Sequence, residues 1–110
     1  MAVNLIKGKV AHTDLVKAQE EYDEYIKIVV DIETGLMTIG GEWHADGEKL
    51  LLENGSKQDN IWGGGMNLKT NKIDYTALIN IRSKDNPSHV IMDKKVRDKF
   101  DKIVKNKFNL

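Results

Sequence analysis

Apolar and polar positions along this chain follow two rhythms that replace one another several times. Ile26, Ile28, Val30 and Ile32 alternate with Lys27, Val29, Asp31 and Glu33, the period of a strand with one buried side. Thr34-Gly35 breaks the run and Leu36-Met37-Thr38-Ile39-Gly40 resumes it, which predicts a hairpin. The cleanest alternation comes later, where Ile73, Tyr75, Ala77, Ile79 and Ile81 are set against Asp74, Thr76, Leu78, Asn80 and Arg82, predicting a strand over 73–82. Val3 to Val10 alternates in part and suits an edge strand or an extended arm.

The other rhythm is helical. Leu15, Ala18, Tyr22 and Tyr25 or Ile26 recur at steps of three and four behind a Thr13 N-cap, with Asp14, Glu20 and Glu21 near the start. Residues 45–54 favour a second helix, closed by Gly55 as a left-handed cap. Asp93 caps a third, whose Val96, Phe100, Ile103, Val104 and Phe108 share one stripe. Between them, Asn60 to Leu68 is apolar enough for a strand but carries Gly63-Gly64-Gly65, which implies a bulge or a close approach to the backbone. This order predicts one α+β domain over 1–110, a two-layer sandwich with three helices on one face of a mainly antiparallel sheet. The expected core is Leu15, Tyr22, Ile28, Val30, Ile32, Leu51, Ile79, Ile81, Val96, Phe100 and Ile103.

Composition narrows the function classes. At 40% hydrophobic and 31% charged residues the chain suits a folded globule rather than a disordered one. With no cysteine, disulfides, thiolate metal sites and cysteine nucleophiles are excluded together. No apolar run approaches the roughly 18 residues of a membrane helix, and the N-terminus lacks the features of a secretory signal, so a cytoplasmic protein without membrane contact is expected. The zero net charge is unevenly spread: residues 1–60 hold 6 Lys against 12 Asp and Glu, and residues 61–110 hold 11 Lys and Arg against 5 Asp. Such halves attract, within one domain or head to tail between copies. A homodimer is expected, through Val29, Thr38, Thr76 and Leu78 on the sheet face away from the helices.

Glu42, His44 and Asp46 form an E-x-H-x-D pattern. In an extended segment all three point the same way, a set that suits Zn²⁺, Mn²⁺ or Fe²⁺, or proton transfer. The competing reading makes His44 or Asp46 an acceptor for free amides at the start of the second helix. Strand pairing would bring Asn80 and Arg82 near Asp31 and Glu33, a candidate pocket floor for a small polar or anionic ligand, or else a structural ion-pair network. Trp43 would wall that pocket or cover the helix end. The third helix is rich in lysine, but its Phe100 and Phe108 lie on the apolar stripe, which argues against nucleic acid. No nucleophile has a recognisable base, and no cofactor or metal can be assigned. The expectation is a non-enzymatic binding or assembly module, the alternative a metal-assisted or acid–base enzyme using Glu42, His44, Asp46 and Arg82.

Three motifs, D-I-E-x-G-x-M, G-G-E-x-H-A-D-x-E and L-L-x-x-G-S-x-Q-x-x-x-W-G, lie between Val30 and Arg82 and resemble a family of short prokaryotic proteins of unknown function. Gly64-Gly65-Met66 departs from the bulkier continuation expected after W-G. The resemblance implies a single-domain prokaryotic protein and no particular activity.

Overall fold

The computed structural model describes residues 3–18, 24–82 and 85–110. Its strands are β1 (Val3–Ile6), β2 (Tyr25–Asp31), β3 (Met37–Gly40), β4 (Ile61–Asn67) and β5 (Ile73–Asp74), and its helices α1 (His12–Ala18), α2 (His44–Glu53) and α3 (Lys94–Phe108). The sheet is antiparallel throughout, in the order β1-β3-β2-β4-β5. The chain is an α+β domain, as its rhythms predict.

The central pair is β2 with β4, in unbroken register from Tyr25 opposite Asn67 to Asp31 opposite Ile61. Ile26, Ile28 and Val30 face one way and pack with Met37, Ile39, Trp62 and Met66 against Ala18 of α1 and Phe100 and Val104 of α3. Val29 faces the other way and packs with Ile61 against Leu51 of α2. The helices therefore lie on both faces, not on one. The expected two-layer sandwich fails because β2 is apolar on both sides at its centre, where Val29 is 2% exposed.

A glycine inside α2 permits this layer. A Cβ on Gly47 would come to 2.3 Å from Thr38 Oγ1 and 2.8 Å from Val29 Cγ2, so the helix backbone lies directly on β2 and β3. Thr38 and Val29 are thus buried under α2, and the surface expected to form a dimer contact is interior apart from the exposed Thr76 and Leu78.

The strand expected over 73–82 shrinks to Ile73–Asp74, followed by isolated bridges at Thr76–Val90 and Arg82–Asn86 and a 3₁₀ turn at Leu78–Asn80. Ile81, expected in the core, is 47% exposed. The first helix ends its described part at Ala18, and Tyr25 and Ile26 belong to β2, while Tyr22 lies outside the described residues. α3 matches its expectation, with Asp93 Oδ1 accepting from Lys95 N at 2.8 Å. Among the described residues no helix is long and apolar enough to cross a membrane.

Candidate functional site

The glycine run of β4 is flat rather than bulged, and neighbours sit directly on it. A Cβ at Gly63 would meet Ala77, His44 and Ile79, one at Gly64 would meet Asp74 O and the Phe100 ring, and one at Gly65 would overlap Tyr25. On the α2 side these contacts leave a cleft of about 240 Å³ lined by Lys27, Trp43, His44, Ala45, Leu78 and Ile79.

His44 is the first residue of α2, and its ring turns down onto β4, where Nε2–H donates to Gly64 O at 2.7 Å. This bond fixes the neutral tautomer with Nδ1 unprotonated. Among the described residues Nδ1 has no hydrogen-bond partner. Burial, reinforced by the Lys27 ammonium, pushes the imidazole pKa below its ordinary value against the opposing pull of the Gly64 carbonyl and Asp74. Nearby, Tyr25 donates to Asp74 Oδ2 at 2.8 Å, and burial together with that carboxylate raises the phenol pKa. Trp43, at the N-cap, is 61% exposed and forms one wall.

The E-x-H-x-D residues do not converge. His44 and Asp46 are in the first turn of a helix, where residues two apart are about 200° apart around the axis. Asp46 Oδ2 accepts from Trp43 N at 3.3 Å, closing the helix start, and Glu42 is exposed. Among the described residues no three His, Cys, Asp or Glu side chains are grouped to hold a metal ion.

The pocket-floor residues are placed apart as well. Asn80 is fully buried: its Oδ1 accepts from Gly63 N at 2.8 Å and its Nδ2 donates to Gly63 O at 2.9 Å, Tyr75 O at 3.1 Å and His89 O at 3.0 Å. Arg82 donates to Gln58 O at 3.2 Å and to Ile61 O, and its guanidinium stacks 3.6 Å over the Trp62 ring. Burial lowers the Arg82 pKa, and the carboxylates that act on it are Asp59, Glu48 and Asp85 rather than Asp31 or Glu33. Asp31 Oδ1 accepts from Glu33 N at 2.9 Å and Thr34 N at 3.0 Å, closing the β2–β3 turn. Burial would raise its pKa, but the Ser56 hydroxyl beside it and these amides outweigh that and hold the carboxyl below its usual range. Glu33 is exposed.

Read along β4, the outer edge is closed in three ways: Gly65 by β5, Gly63 by the Asn80 amide and Ile61 by the Arg82 guanidinium. The sequence reading missed Leu78, Ile79 and Lys27 as cleft residues. The triple glycine was the available signal, since each missing side chain marks where a neighbour presses on the backbone.

A family model matches residues 4–107, nearly the whole of this arrangement. The chain belongs to DUF5674, a family of proteins of unknown function. No curated protein and no solved structure matches it. In this DUF5674 chain the matched span takes in the Trp43 cleft, α1, α2 and α3 up to Lys107.

Proposed function

We propose that this protein is a non-enzymatic binding module of a prokaryotic cytoplasm, and that the cleft beside Trp43 takes its ligand. The observation that carries the reading is a pair of large apolar side chains left open at one concavity, Trp43 at 61% and Leu78 at 66% exposure. Association would remove that surface from water. A volume of about 240 Å³ lies below the roughly 300 Å³ at which drug-sized pockets begin, so it suits a single ring system. His44 supplies the polar partner, because its Nδ1 is an acceptor while Nε2–H is committed to Gly64. The ligand class is a small aromatic ring bearing an N–H or O–H donor.

Indole and phenol titrated into isotope-labelled protein test this. Saturable NMR shifts are expected at the Trp43 indole and the His44 ring, with Trp62 unmoved, and are lost in Leu78→Ser. Shifts that never saturate, or that persist in Leu78→Ser, reject the cleft. The metal-assisted or acid–base alternative draws no support from side chains that point apart, and stoichiometric metal in untagged protein would revive it. A homodimer is also proposed, for which light scattering should give twice the 12.5 kDa chain mass.

A further inference from the structure

Lys107, near the end of α3, is 8% exposed, and its Nζ donates to Lys7 O at 3.0 Å and Gly8 O at 3.2 Å. A lysine buried this far normally has a carboxylate beside it, because an uncompensated buried charge is costly. The ion pairs among the described residues are Lys69–Glu24, Lys94–Asp98 and Lys105–Asp101, and none includes Lys107. The charged group that acts on it is another cation, Lys9, and burial and that repulsion both lower its pKa. Lys9 itself is held by Asn106, donating to the main-chain O at 2.7 Å and to Oδ1 at 3.2 Å.

Lys107 opens onto a cavity of about 290 Å³ lined also by Lys7, Lys102, Ile103, Asn106 and the Thr34–Gly35 turn. The side-chain groups on its wall are donors. Two of the three Lys107 ammonium protons are used, which leaves one. Asn106 Oδ1 is taken by Lys9, leaving its NH₂. Among the described residues no Asp or Glu lines the cavity. The acids of α3 are engaged elsewhere, Asp98 with Lys94 and Asp101 with Lys105 and Tyr75. Attraction of lysines to the negative end of a helix would account for Lys105 and Lys107. It does not account for Lys7, which follows β1, or Lys102, more than a turn earlier, converging on the same space.

We propose that this cavity binds the phosphoryl group of a small phosphorylated molecule, held by Lys7, Lys102 and Lys107 with Asn106. Lysine meets phosphate as a compact point charge with rotatable donors, and three around one concavity compensate a dianion. The volume accommodates a phosphate with a small body attached and excludes a base-paired strand. The site is independent of the Trp43 cleft, since it lies on the α3 side of the sheet and the cleft on the α2 side.

The test is titration with inorganic phosphate and with glycerol 3-phosphate at constant chloride, read by calorimetry and by amide NMR shifts. Saturable binding is expected, with shifts at Gly35, Asn106 and Lys107, and about tenfold weakening in each of Lys7→Met and Lys102→Met. Both substitutions are at surface lysines, and their melting curves report folding separately from binding. Tighter binding of glycerol 3-phosphate assigns the site to phosphomonoesters, and equal binding assigns it to free phosphate. No saturable binding at millimolar phosphate overturns the proposal, as does unchanged affinity in the double variant, or binding of a single-stranded oligonucleotide without binding of phosphate.

Discussion

The side chain of Asn80 pairs with the backbone of Gly63 at both ends, accepting from Gly63 N at 2.8 Å and donating to Gly63 O at 2.9 Å. It stands where the next strand of the sheet would be, and makes the two bonds that a strand's peptide group would make. Removing it strands two buried backbone groups of β4. Asn80→Ala is therefore expected to cost about 2–6 kcal/mol in urea unfolding, each orphaned group contributing about 1–3. Asn80→Asp should be at least as damaging, because it keeps the acceptor for Gly63 N and turns the donor toward three carbonyls into a second acceptor.

Gly47→Ala sets two effects against each other. Helix propensity favours alanine by about 1 kcal/mol. The new methyl would press on Thr38 and Val29, both β-branched, buried and unable to swing aside. A net loss of about 1–3 kcal/mol is expected from overpacking. Adding Thr38→Ala should recover part of it, so additive losses in the double variant would count against this contact.

His44 makes stability pH-dependent. Burial holds its folded pKa below the ordinary imidazole value of 6.5, so the unfolded chain binds the proton first, and stability is lost as pH falls below about 6.5. His44→Gln should flatten that part of the profile. Glu42 is not among the groups that act on the ring. Glu42→Gln is expected to leave the His44 titration unchanged by NMR.

Two isoleucine and phenylalanine truncations should separate core from surface. Phe100 is fully buried and packs edge-on to Tyr75 with centroids 5.8 Å apart. Phe100→Ala is expected to cost about 3–5 kcal/mol. Ile81→Ala, at 47% exposure, should change stability by only about 0.5 kcal/mol. Thermal or urea unfolding of the pair decides whether Ile81 is outside the core.

Much of this was legible in the chain. The hairpin of β2 and β3, the cap of α3 at Asp93, the glycine stop after α2 and the apolar stripe of α3 depend on residues close in sequence, where capping, turn chemistry and periodicity act alone. The positions of the helices on both sheet faces were not legible. Val29 and Thr38 look like an outer face until Gly47 brings α2 onto them, a contact between residues too far apart for any periodic pattern. The same holds at residues 73–82, whose alternation reads as a strand. Asn80 takes the ladder bonds with its side chain, so the backbone turns away after Asp74. Nor could spacing decide the role of E-x-H-x-D: as an extended segment it would gather three ligands. The first turn of α2 spreads them around the axis and presses His44 onto Gly64. Sequence determined the elements that local capping, turns and periodicity specify; tertiary packing decided the chain's course at 73–82, which faces close and which groups remain open, because burial and backbone pairing are settled only when distant strands meet.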